Sequence, residues 1–166
     1  MPAAQLAVLD TSYRQFLAST LRPTVKKNHY QPLQAAYYDH TGQLRVFYVN
    51  CYAGGFPNLQ WNQAGGLNQF LPAPQAPADS ALALPAYLRY LRSPAGLSLS
   101  ATDTASYTVV VQWSRLMGRQ SRRFIEAIRR NATLAGQPVR LLFVNNDNLL
   151  YYLSERAERR DALAGK

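Results

Sequence analysis

Few side chains in this sequence have the chemistry for catalysis. There is one cysteine, Cys51, and there are two histidines, His29 and His40. One thiol excludes an intramolecular disulfide, a dithiol redox pair and a four-cysteine metal site, and two histidines leave little from which to build a metal cluster. No metal and no cofactor is therefore expected. Cys51 stands in Asn50-Cys51-Tyr52, after a strand-like run, and reads as a small buried hydrophobe. A single-thiol redox enzyme centred on Cys51 is an alternative, but it requires an exposed thiol beside a cation, and Arg45 lies six residues away along a strand. His40 falls in Asp39-His40-Thr41-Gly42 between two apolar segments and reads as a solvated turn residue.

Cations offer a different chemistry. The chain carries 18 Lys and Arg against 9 Asp and Glu, a net charge of +9, and fifteen of the eighteen are arginines. The excess is concentrated in the second half, where residues 84–166 hold thirteen basic and six acidic side chains against five and three in residues 1–83. Arg115, Arg119, Arg122, Arg123, Arg129 and Arg130 are accompanied between 115 and 130 by one acid, Glu126. At about 100° per residue, Phe124, Ile125, Ile128 and Ala132 share one side of a helix, and Arg119, Arg122, Arg123, Arg129 and Arg130 the other. The simplest reading is a solvated face on which Glu126 pairs Arg122, Arg129 or Arg130. The alternative is a surface for phosphates or nucleic acid, since guanidinium forks bind phosphate bidentately.

These residues need elements to hold them. YTVVVQW over Tyr107 to Trp113 is a β-branched run of strand length, residues 119–132 have helical period, and VRLLFV over Val139 to Val144 is a second buried-type strand. Strand, helix and strand joined by short connections make a βαβ unit with parallel strands and a right-handed crossover. Such folds place their sites at the carboxyl ends of the strands, here the junction Trp113-Ser114-Arg115-Leu116-Met117-Gly118-Arg119. Ser114 suits a helix cap better than a nucleophile, because no His or Lys lies near it in sequence to serve as its base. The sequon Asn131-Ala132-Thr133 falls at the end of the same helix and is not expected to be glycosylated.

Upstream, Tyr13, Phe16, Leu17 and Leu21 have helical spacing over 10–21, with Pro23 as the stop. AAYYDHTGQLRVFYVN over 35–50 reads as a β-hairpin in which Gly42 supplies positive φ. Gly54-Gly55, Gly65-Gly66, Pro57, Pro72, Pro74 and Pro77 make 51–83 an irregular excursion, from which Trp61 and Phe70 fold back onto the core or line a groove. Pro85 suits the first turn of a helix carrying Tyr87, Leu88 and Leu91, ending near Ser93-Pro94. Residues 149–163 read as a closing helix with Glu155 and Arg159 paired.

The expected organisation is a single domain: N-terminal helix and connector (1–34), hairpin (35–50), excursion (51–83) and βαβ core with closing helix (84–166). A chain that is 48% hydrophobic and only 16% charged is not a charge-driven disordered one. No stretch reaches the roughly 18 apolar residues of a membrane span, and MPAAQLAVLDTSYRQF has neither a basic n-region nor a long apolar h-region. As written the chain is expected to be soluble and cytoplasmic, whereas loss of a leader from its amino terminus would make it an exported protein.

YTVVVQWSRLMGR together with LLFVNNDN resembles the central βαβ of the thioredoxin-like fold, and more narrowly bacterial members in which the redox motif is degenerate. The resemblance covers residues 106–148. It implies that Trp113 is the motif tryptophan and that Ser114 and Met117 stand where the two redox cysteines would be. A thioredoxin domain continues after its third strand into an antiparallel hairpin, but only about twenty residues follow Val144. The resemblance therefore implies that residues 35–50 supply that hairpin from the amino-terminal side. The fold class expected is α/β, with a thioredoxin-like central βαβ, an added N-terminal β-hairpin and flanking helices. The function expected is a redox-inactive binding or structural module rather than an enzyme, with Trp113, Ser114, Arg115, Met117, Arg119, Arg122 and Arg123 as the partner-binding candidates. The sequence does not identify the partner: a protein is one candidate, and nucleic acid is the less favoured one.

Overall fold

The computed structural model describes residues 3–21, 28–49, 60–62, 64–79, 82–94, 99, 105–152 and 155. The architecture is mixed α/β. A six-stranded sheet is assembled from β1 (Ala3–Leu9), β2 (Gln34–Asp39), β3 (Leu44–Val49), β4 (Leu91–Arg92), β5 (Tyr107–Trp113) and β6 (Val139–Asn145) in the order β3-β2-β5-β6-β1-β4. Among the described residues the helices of five or more residues are α1 (Tyr13–Thr20), α2 (Leu84–Leu88), α3 (Gly118–Thr133) and α4, described over residues 147–152.

The centre of the sheet follows from the most apolar text. β5 and β6 run parallel in unbroken register from Tyr107↔Val139 to Trp113↔Asn145, and α3 carries the chain from one to the other. Because both strands are covered on two sides, they read as continuous apolar runs without alternation. The hairpin joins this sheet, with β2 antiparallel to β5 from Gln34↔Gln112 to Asp39↔Tyr107 and β3 antiparallel to β2 on the edge. Gly42 has φ +79°, and the Asp39 carboxylate accepts from the Thr41 amide (2.9 Å), the Thr41 hydroxyl (2.6 Å) and the Gln43 amide (3.1 Å), which fixes the turn and leaves His40 exposed.

Two apolar clusters flank the sheet. On one side Tyr13 and Leu17 of α1, Leu84, Tyr87 and Leu88 of α2 and Leu149 of α4 pack on Leu9, Tyr38, Phe47, Val110, Leu142 and Val144. On the other, Phe124, Ile128 and Ala132 of α3 pack on Tyr37, Val109, Val111, Leu141 and Phe143. Trp61 and Phe70 fold back onto this second cluster. Trp61 lies 4.4 Å from Phe124, and Phe70 lies 5.0 Å from Tyr107 and 5.9 Å from Tyr37.

Several elements differ from the sequence reading. Residues 3–9 form a strand, β1, parallel to β6 and antiparallel to β4. Its AAQLAVL is alanine-rich, with little β-propensity of its own, so tertiary pairing makes the strand. Leu91 belongs to β4 and not to the helix begun at Pro85, which ends at Leu88. The closing helix begins at 147, two residues before the expected start, and its expected Glu155–Arg159 pair lies outside the described residues, as do Pro23 and Cys51.

Candidate functional site

Parallel pairing brings the ends of β5 and β6 to one edge, and the residues leaving each strand meet there. β5 ends at Trp113, a single 3₁₀ turn follows over Arg115–Met117, and α3 begins at Gly118 with φ +44°. Ser114 is fully buried, and its hydroxyl accepts from the Leu116 amide at 3.1 Å, the cap expected of it. That hydroxyl also donates to Asp147 Oδ1 at 2.6 Å, and the Arg115 amide donates to the same oxygen at 2.9 Å. The other carboxylate oxygen accepts from Asn145 Nδ2 at 3.0 Å. Below it, Ser121 Oγ donates to the Ser114 carbonyl at 2.5 Å, and the Asn146 amide donates to the Trp113 carbonyl at 3.0 Å. The turn is thus tied to the start of α4 through one carboxylate.

This geometry decides what Ser114 can do. A nucleophilic serine needs a base that takes its proton and a path for substrate to its oxygen. Ser114 has an acceptor in Asp147, but no solvent reaches it and both the donor and an acceptor function of its hydroxyl are committed to holding the turn. The arrangement caps and clamps.

The other candidates divide by exposure. Trp113 and Met117 are half-buried against the α3 cluster, and the indole Nε1 of Trp113 is buried without a hydrogen-bond partner. Arg115, Arg119, Arg122 and Arg123 are exposed, as are Arg129 and Arg130. The pairing expected of Glu126 is absent, since no carboxylate of the described residues lies within 4.0 Å of these guanidinium groups. Arg129 instead lies over the Phe143 ring, 5.1 Å from its centroid.

Asp147 was not singled out from the sequence, although β6 ends in VNND beside β5. The register Trp113↔Asn145 carries the signal, because two parallel strands that end level must place their following residues together. Asn131 was also missed as a functional polar group. It is fully buried, accepts from Tyr37 Oη at 3.0 Å, and donates to the Leu67 and Gln69 carbonyls at 2.9 and 2.8 Å, pinning the excursion to α3. Its amide nitrogen is therefore inaccessible to glycosylation in the folded chain.

On the opposite side of the sheet lies a buried polar chain. Gln112 Nε2 donates to Tyr87 Oη at 2.8 Å, and Gln112 Oε1 accepts from Gln34 Nε2 at 3.1 Å and Asn146 Nδ2 at 3.2 Å. His29 stacks on Phe47 with ring centres 4.1 Å apart, and its Nε2 is buried without a partner. Burial lowers its pKa to about 4, against a smaller opposing effect of Asp79. With Tyr13, Tyr38, Tyr87, Gln34 and Gln112 it lines a space of about 10 Å³, marginal even for one water and too small for a substrate.

Among the described residues no group of three or more His, Cys, Asp or Glu side chains could hold a metal ion, and no helix is long and apolar enough to cross a membrane. Compared with known proteins, the chain matches no family model, no curated protein and no solved structure.

Proposed function

We propose that this chain is a redox-inactive, thioredoxin-like module that binds a partner through the 113–117 turn and the arginine side of α3. The observation that carries the proposal is the state of Ser114. At the position where the fold's first redox cysteine would stand, a side chain with no solvent exposure is committed to Asp147 and to the Leu116 amide, which leaves a rigid turn and no reacting group. The antiparallel hairpin beside β5 supports the resemblance, since it gives the βαβ the neighbour that a thioredoxin obtains from later in its chain. Exposure of Arg115, Leu116 and Arg119 around that turn supports binding rather than core packing.

The test is to restore the missing chemistry. The Met117 amide donates to the Ser114 carbonyl at 3.3 Å, a turn geometry that holds the first and fourth Cα atoms within about 7 Å, close to the upper limit for a disulfide. The double variant Ser114→Cys/Met117→Cys should therefore close a disulfide on mild oxidation, its titratable thiols falling from three to one with Cys51 remaining. The native chain should leave insulin disulfides unreduced in the presence of dithiothreitol beyond the uncatalysed rate. Reductase activity in the native chain, or failure of the engineered pair to close, would overturn the proposal.

A further inference from the structure

Six guanidinium groups line α3 and the turn before it, and their surroundings are unusual for a solvated face. Arg115, Arg119, Arg122, Arg123, Arg129 and Arg130 are all exposed, Glu126 is the one acid among residues 115–130, and no carboxylate of the described residues lies within 4.0 Å of any of them. Glu126 lies on the same exposed side of α3 without pairing any of them, and Asp147, beside the turn, spends its oxygens on Ser114, the Arg115 amide and Asn145. Arg119 to Arg130 extend over about 17 Å at a rise of about 1.5 Å per residue. At about 100° per residue the five helical arginines fall within an arc of roughly 120°.

We infer that this arginine face binds the phosphate backbone of a nucleic-acid duplex without reading its sequence. The inference rests on the reading of the chain as a binding module and names the partner. Guanidinium groups with no internal carboxylate are available to pair phosphate oxygens bidentately. One strand of a duplex offers a phosphate about every 3.4 Å along its axis, so a 17 Å row spans roughly five.

Other polyanions fit less well. A single strand is held by stacking its bases on exposed rings. On this side of the sheet Trp113 is half-buried in the α3 cluster, while Tyr152 lies by Arg14 of α1 on the opposite side. A lipid surface takes up the apolar face of an amphipathic helix, but Phe124 and Ile128 of α3 are fully buried against the sheet. An acidic protein would need an apolar centre to its interface, and the apolar exposure here, Leu116 and Leu134, lies at the two ends of the row. The side-chain amides of α3 that could read adenine, Gln120 and Asn131, are buried.

The experiment uses the full chain and a fluorescently labelled 20-base-pair DNA duplex of arbitrary sequence, followed by anisotropy between 50 and 200 mM salt. Contact with about five phosphates predicts a log–log salt slope of about −4.5, and an affinity that falls roughly 500-fold across that range. Arg122→Ala/Arg123→Ala should flatten the slope by about 2 and weaken binding at 50 mM salt, with the thermal midpoint unchanged. Arg45→Ala, which removes an arginine from the hairpin edge, should leave both unchanged. The inference is overturned by absence of duplex affinity at 50 mM salt, or by equal losses in the Arg45→Ala control. It is also overturned by tighter binding of an unstructured oligothymidylate, of phosphatidylserine vesicles or of polyglutamate than of duplex. If the Ser114→Cys/Met117→Cys disulfide closes and no duplex binds, this inference fails alone.

Discussion

His29 makes stability depend on pH in a window where little else in the described chain should. Its imidazole is 2% exposed, stacked on Phe47, with Nε2 facing no hydrogen-bond partner, and burial lowers its pKa from 6.5 to about 4. The unfolded chain binds a proton at this side chain below pH 6.5, whereas the folded chain refuses it until about pH 4. The stabilisation is therefore full well above pH 6.5, is lost as pH falls between 6.5 and 4, and changes no further below that. The difference between 6.5 and about 4, at about 1.4 kcal/mol per pH unit, amounts to about 3.5 kcal/mol. A typical domain has only about 5–15 kcal/mol in total. Asp10 and Asp39 act elsewhere. The carboxyl of Asp10 is held below its usual range first by the Ser12 hydroxyl and amide, and that of Asp39 by Thr41, Gln43 and Arg45 in excess of its burial, so both lose their effect only in stronger acid. Urea unfolding followed by tryptophan fluorescence at pH 7.5, 6.5, 5.5 and 4.5 should show the midpoint falling by roughly 1–2 M, taking a urea dependence of about 2 kcal/mol per M. His29→Leu, of similar bulk and unable to titrate, should match the native chain near pH 7.5 and stay level down to pH 4.5. A native chain without this fall, or a Leu variant that retains it, refutes the burial argument.

Further outcomes follow from the same contacts. Asn131→Ala should destabilise by roughly 3 kcal/mol or more, measured by thermal unfolding, because it strands the Tyr37 hydroxyl and the Leu67 and Gln69 carbonyls together. Ser114→Ala should lower stability by about 1–2 kcal/mol through loss of the cap and of the Asp147 bond, and leave the duplex salt slope unchanged. Gly42→Ala and Gly118→Ala should both destabilise, measured by thermal unfolding, for different reasons: a Cβ at Gly42, φ +79°, would also meet Pro85 Cδ at 3.2 Å, whereas at Gly118 nothing lies within 4 Å and the cost is the backbone strain of φ +44°, ψ −115°, roughly 1–3 kcal/mol.

The sequence was legible where a periodicity had one explanation. YTVVVQW and VRLLFV have the length and unbroken apolar character of buried strands, and the Phe124/Ile128/Ala132 stripe fixes which side of α3 is inside. It was illegible where an element exists only because others are present. β1 is a strand because β6 and β4 offer it backbone partners, and Leu91 leaves the helical pattern of Tyr87 and Leu88 to pair with Leu9. The site divides along the same line. Ser114 as a cap is a local property, readable from a serine at a strand-to-helix junction. Asp147 is 33 residues away, and its meeting with Ser114 depends on β5 and β6 being parallel and ending level. Both of those conditions are implied by a short βαβ, since strand lengths and the length of the connecting helix together set where the two carboxyl ends fall. A polar residue just beyond the second strand of such a unit is thus a candidate partner for the residue just beyond the first. Here that partnership closes the turn, commits the Ser114 hydroxyl to it, and leaves the exposed arginines of α3 with no carboxylate of the described residues within 4.0 Å.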